Sequence, residues 1–105
     1  MRRGEIWLAT LDPTVGGEIW KTRPGLIVSP DELNAHLRTV LVAPLTTGSR
    51  PAPFRVPVTF QRKQGLILPE RMRALDRTRL VKRLGKVDAA TLRAVLTLLG
   101  ELFAE

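Results

Sequence analysis

For most of its length this sequence offers only short β-favouring runs, each cut off by a turn signal before it is long enough to make a helix. GEIWLATLD (4–12) stops at Asp12-Pro13, and the pair Gly16-Gly17 leads toward PGLIVS (24–29). TVLVAPL (39–45) runs into the turn-rich and cationic TTGSRPAP. FRVPVTF alternates, with Phe54, Val56, Val58 and Phe60 on one face, while Pro57 on the other face marks an edge strand or a bulge. GLIL and RMRALD read as two more short strands interrupted by Pro69; RTRLVKRLGK is ambiguous, with cations too dense for a core element. Ser29-Pro30-Asp31-Glu32 has the pattern of a capping box, with the Ser29 hydroxyl on the N3 amide, Pro30 at N1 and Glu32 reaching back. It predicts a short helix through DELNAHL. The period changes only near the end, where Asp88 can cap a helix that places Leu92, Val95, Leu96, Leu99, Leu102 and Phe103 on one stripe. That stripe must bury against the sheet or a partner chain. The expected fold class is mainly β with a C-terminal α-helix: five to seven short strands in a small twisted barrel, as a single domain over 1–105.

Charge narrows the partners. Seventeen Lys and Arg against ten acids give a net charge of +7, which predicts attraction to polyanions. A nucleic acid, an acidic protein and an anionic membrane all qualify. The membrane is the weakest of these, because no apolar run approaches the ~18 residues of a span. The cationic start MRRGEIWLATLD also lacks the uninterrupted apolar stretch of a signal peptide. There is no cysteine, and His36 is the only histidine, so a two-histidine acid–base pair within one chain is excluded. Zinc sites normally draw on several such ligands, and the acids occur singly or in the doublet Asp31-Glu32. A catalyst of this composition must work with Arg, Lys, Thr, Ser and carboxylates. A cytoplasmic location is expected.

Several separate motifs, RRGEIWLATLDPTVGGEIWKTRPGLIVSP, VLVAPLTT, PFRVPV and RMRALDRTRLVKRLGKVD, together resemble the MazF/PemK family of toxin ribonucleases. The resemblance runs in register from Arg3 to the terminal helix. It implies an SH3-like β-barrel that forms a homodimer. It also implies metal-independent, sequence-specific cleavage of single-stranded RNA without a cofactor, and a cognate antitoxin as partner.

On that resemblance Arg23, in KTRP, is the leading catalytic residue. Attack by a 2′-hydroxyl passes through a phosphorane with extra negative charge, which a planar guanidinium can grip at two oxygens. Pro24 biases Arg23 toward extended geometry and so aims it. Thr46, at the end of VAPLT, is placed to donate to a phosphate oxygen; a one-residue slip would substitute Thr47 on the opposite face. Arginine is a poor proton acceptor, so a carboxylate is the better base, and Glu70 stands where some family members have an aspartate. The segment departs from the family pattern at Glu70-Arg71, and again at Leu68, where one branch has an arginine. Lys21, Thr47, Arg71, Arg73 and Arg79 are candidate RNA contacts. Trp20 can stack on an unpaired base or cover the barrel or a dimer seam. His36 reads as a helix-surface side chain. The positive groove also suits an acidic antitoxin tail competing with substrate. Two other readings remain open at this point: a gyrase-poison-type toxin acting through its terminal helix, and a basic RNA-binding barrel without catalysis.

Overall fold

A computed structural model describes residues 1–12 and 21–105. The β-favouring runs become seven strands: β1 (Glu5–Asp12), β2 (Lys21–Ile27), β3 (Thr39–Thr46), β4 (Val56–Phe60), β5 (Lys63–Ile67), β6 (Arg73–Asp76) and β7 (Leu80–Lys86). A short helix α1 (Asp31–His36) joins β2 to β3, 3-10 turns at Pro69–Arg71 and Arg77–Arg79 flank β6, and α2 (Ala89–Phe103) ends the chain. No described helix is long and apolar enough to cross a membrane.

β3 organises the sheet. One edge pairs with β2, through Gly25↔Pro44, Leu26↔Ala43 and Ile27↔Val42. Its other edge is shared, with β6 along Thr39 to Val42 and β5 at Leu45↔Ile67 and Thr46↔Leu66. β5 and β6 thus form one long antiparallel partner interrupted at Pro69. The partner advances six positions, Ile67 to Arg73, where β3 advances only three, Val42 to Leu45. Pro69 cannot donate to a ladder, so the surplus is taken up in the 3-10 turn. β2 continues to β1 and β1 to β7, so the path runs β4-β5-β3-β2-β1-β7. Pro57 lies on β4, which is an edge strand, as its missing donor requires.

Neighbouring residues of the central strands feed opposite cores, so those strands read as nearly continuous apolar runs. Ala9, Ile27, Val40, Val42, Leu75 and Leu80 fill one core, on the side of the curled sheet bounded by β1, β2, β3, β6 and β7. Ile6, Leu26, Val28, Ala43 and Leu45 face the other way, onto Val56, Ile67 and Val95 of α2. The two ends of the sheet meet through a side chain: the Phe60 ring stands 3.3 Å from where a Cβ on Gly85 would lie.

Three details differ from the sequence reading. Ser29 does not cap α1, since the N-cap is Pro30 and no side chain caps it. The Ser29 hydroxyl is buried instead, donating to Asn34 Oδ1 and accepting the Leu41 N–H at 3.0 Å, while Asn34 Nδ2 donates to the Ser29 carbonyl. A buried hydroxyl surrounded by these unmet groups satisfies more of them inside than it would at the helix start. The cationic segment after Arg77, ambiguous in the sequence, is a strand, β7, which keeps its cations because it ends the sheet path, with Val81, Lys82 and Arg83 all exposed. The α2 stripe is buried only at Val95, with Leu92, Leu96 and Leu99 half-buried and Leu98 added to the packed set. Leu102 and Phe103 stay 46% and 74% exposed. Asp88 does cap α2, accepting the Thr91 N–H at 2.7 Å.

Candidate active site

Arg23 lies on β2 opposite Ala9 of β1. The β2–β3 register of Gly25 to Pro44, carried two residues further, sets Arg23 level with Thr46. The two line a pair of adjoining clefts. One, of about 230 Å³, is walled by Pro24, Leu45, Val58 and Phe60, with Thr47, Gln61, Lys63 and Gly65 completing it. The other, of about 550 Å³, runs past Pro44, Gly48, Ser49 and Leu68 to Arg71 and Arg73. Arg23, Leu45 and Thr46 belong to both. The guanidinium-bearing residue is exposed and the threonine half-buried. Thr46 Oγ1 accepts the Gly48 N–H at 3.2 Å, which leaves its own proton available for an anion in the cleft.

The walls depend on a glycine. A Cβ on Gly65 would lie 2.7 Å from the Thr46 carbonyl oxygen, so β5 comes this close to the end of β3 only without a side chain there. The hairpin that brings β4 over the cleft has a two-residue loop, Gln61-Arg62, between the paired Phe60 and Lys63. Both loop residues have positive φ, at 51° and 64°.

The remaining sequence candidates are dispersed. Arg71 and Arg73 join Arg23 on the larger cleft, and Thr47 lies on the smaller one. Glu70 lines neither. Its Oε2 accepts from Arg55 Nε at 3.1 Å and Nη2 at 2.9 Å, with the two side chains 25% and 17% exposed. Arg55 Nη1 also donates to the Arg50 carbonyl, so this pair ties the β3–β4 connection to the turn after β5. Arg79 sits in the 3-10 turn before β7, outside both clefts, beside Asp76. The Asp76 carboxyl is held below its usual range by hydrogen bonds from Thr78 and by the Arg38 and Arg79 charges. His36 is exposed at the end of α1, its Nδ1 bonded to the Glu32 carbonyl, in keeping with a helix-surface side chain. Trp20 lies outside the described residues, as does the Lys21 side chain.

Sequence reasoning missed Val58, Phe60, Gln61, Lys63 and Gly65 as site residues. Only the closure of β4–β5 onto β3 brings them to Arg23; the available signal was a two-residue gap without glycine between FRVPVTF and KQGLI. Among the described residues no three His, Cys, Asp or Glu side chains come together as a metal site.

A small basic barrel that presents an arginine and a free hydroxyl at the meeting point of two clefts, one cation-walled, belongs to the class of modules that handle an anionic polymer. Residues 2–103 match the PemK-like, MazF-like toxins of type II toxin–antitoxin systems, and the chain belongs to that family. It is 40% identical over 102 residues to the Endoribonuclease PemK of Escherichia coli, covering 91% of this chain and 77% of that protein. It is 36% identical over 90 residues to the Endoribonuclease MazF of Staphylococcus epidermidis, covering 80% and 75%. Among solved structures, MazF from Deinococcus radiodurans superposes with a TM-score of 0.82 at 28% identity, covering 97% of this chain and 94% of that one. An endoribonuclease in complex with its cognate antitoxin, from a mycobacterial species, superposes at 0.79 with 27% identity, covering 96% and 92%.

Proposed function

We propose that this chain is an endoribonuclease toxin that cuts single-stranded RNA in the cytoplasm and is held in check by a cognate antitoxin. The observation that carries this reading is the convergence of Arg23 and Thr46, from neighbouring strands, on the junction of the two clefts. In the reaction the 2′-oxygen of one nucleotide attacks the adjacent phosphorus and the P–O5′ bond breaks. The 2′-hydroxyl proton is lost and a proton is gained by the departing O5′. The products are a 2′,3′-cyclic phosphate and a 5′-hydroxyl. Charge grows on the non-bridging oxygens as the phosphorane forms, and the Arg23 guanidinium supplies paired donors for it. Thr46 holds one oxygen through its free O–H, and Arg71 and Arg73 draw the strand along the larger cleft. This charge stabilisation comes entirely from side chains and calls for no metal.

Glu70 is the carboxylate that the sequence offers as base. The two hydrogen bonds it accepts from Arg55, outside both clefts, favour an anchoring part over proton abstraction. Glu70→Gln separates the two: loss of a general base lowers the rate by ~10²–10⁴, whereas loss of an anchor shows first in the melting temperature. The cationic larger cleft also suits an acidic antitoxin segment, which would exclude RNA by occupying it. Exposed Leu102 and Phe103 at the end of α2 favour a homodimer, in which a second copy covers them.

The test is Arg23→Ala on a defined RNA with mapped ends. Removal of one preorganised donor group lowers turnover by ~10²–10³, with only a modest loss of RNA affinity and an unchanged melting transition. EDTA leaves wild-type cutting intact, and a 2′-deoxy substitution at the scissile nucleotide stops it. Normal cutting of the deoxy substrate would falsify the mechanism.

A further inference from the structure

The β4–β5 hairpin loop is built at an energetic disadvantage. Gln61 and Arg62 both occupy the left-handed region, with φ of 51° and 64°, where a two-residue hairpin turn favours Asn and Gly. A strained backbone that persists in long side-chain residues points to a use for one of those side chains. Gln61, and not Arg62, lines the smaller cleft. There Val58 and Phe60 supply apolar lining beside Gln61, and Arg23 and Thr46 are shared with the larger cleft. A cleft of about 230 Å³ with an aromatic ring in its wall suits a single flat heterocycle rather than a length of strand.

On the reading that this chain cuts RNA at Arg23, we infer that the smaller cleft takes the base next to the scissile phosphate and that Gln61 reads its edge. The carboxamide offers one donor group and one acceptor, which match an adjacent donor–acceptor pair on a base edge in the way that glutamine meets adenine at N6 and N7. Phe60 and Val58 exclude water from that edge, so a mismatched base leaves a polar group unpaired. Gln61 is a specificity-determining residue, held at the edge of the smaller cleft by the left-handed turn.

Three variants test this, with two readouts that separate this inference from the catalytic reading. Short 2′-fluoro oligonucleotides of A, C, G and U have no attacking hydroxyl, and their binding is followed by fluorescence anisotropy. In parallel, cut sites are mapped on ribonucleotide substrates. Wild type ranks the four oligonucleotides. Gln61→Gly relaxes the turn, folds with an unchanged or raised melting temperature, and compresses that ranking about tenfold. Gln61→Glu presents only acceptors and moves the preference toward guanine, whose N1–H and N2–H are adjacent donors. Arg62→Gly relieves the same backbone strain and keeps the wild-type ranking. A Gln61→Gly protein with the wild-type ranking, a Gln61→Glu protein without the shift, or an Arg62→Gly protein that loses the ranking would each overturn the inference. A wild type that ranks the oligonucleotides but cuts no RNA would instead overturn the catalytic reading and leave the base-reading part standing.

Discussion

The close approach at Gly65 is open to a quantitative test. An added Cβ would meet the Thr46 carbonyl oxygen at 2.7 Å, the carbonyl carbon at 3.4 Å and Thr47 Cγ2 at 3.6 Å. An ordinary C···O contact is ~3.3 Å, so the alanine is about 0.6 Å too near. The obstacle is backbone, and no side-chain rotation removes it. The strand must move, and Thr46↔Leu66 is one of only two residue pairs that join β5 to β3. Overpacking of this kind costs about 1–3 kcal/mol, partly offset by the ~0.5–1 kcal/mol that alanine recovers over glycine in a strand. A net loss of roughly 1–2 kcal/mol lowers the melting temperature of a domain this size by about 5–10 °C. The displaced carbonyl belongs to the residue proposed to hold the phosphate. A shift of this order lowers cleavage by roughly 10-fold or more, given that ~1 Å of misplacement is worth about 10². The assay is single-turnover cleavage beside thermal unfolding, with Gly100→Ala as the control. Nothing lies within 4 Å of a Cβ at Gly100, in the exposed part of α2, so that variant gains about 0.5–1 kcal/mol and keeps its rate. A Gly65→Ala protein with wild-type melting and rate would refute the claim that this contact sets the cleft.

Gly25→Ala places its Cβ 2.3 Å from Val42 Cγ1 inside the barrel and lowers stability by about 1–3 kcal/mol, read by urea unfolding. Ser29→Ala leaves the Leu41 N–H and Asn34 Oδ1 without their partner and costs about 2–3 kcal/mol in the same measurement. Glu5 titrates through opposing effects: burial raises its carboxyl, but the Arg2 N–H, the Trp7 indole N–H and the Arg83 guanidinium together bring it below its ordinary value of 4.5. Its stabilisation is therefore present above about pH 4.5 and lost as pH falls through the lowered folded value, so wild type and Glu5→Gln differ in melting temperature at pH 7 and converge in acid. RNA affinity falls steeply with added salt, and Arg71→Ala and Arg73→Ala each flatten the slope of log affinity against log salt by about one.

The elements readable in the sequence are those whose pattern is local. β1, β3 and α2 announce themselves by apolar runs, by Pro and Gly boundaries, and by the Asp88 cap. Ser29 misleads because its hydroxyl has a better use twelve residues away, at Leu41, than at the helix beside it. β7 is obscured because a strand at the end of the sheet path, exposed over Val81 to Arg83, tolerates Lys82, Arg83 and Lys86. At the site, the pairing of Arg23 with Thr46 was legible only through family resemblance, since their register is set by strand pairing and not by spacing. The stretch from Val58 to Gly65 was legible as strand and turn but not as a wall of the cleft. Its position depends on β5 meeting β3, a contact between segments that carry no mark of each other.

Phe60 against Gly85 has a mechanical consequence. The sheet path begins at β4 and ends at β7, and among the described residues those ends meet at the Phe60 ring beside Gly85 and not through a ladder of amides. The β4–β5 hairpin is hung from the sheet at Leu45↔Ile67 and Thr46↔Leu66, packed through Val56 and Ile67 into the core it shares with α2, and latched near its tip by the ring. Releasing the latch breaks no hydrogen bond between strands. Whatever fixes Thr46 also stiffens the hinge, so an occupied cleft slows amide exchange across the whole hairpin, including positions that touch nothing bound.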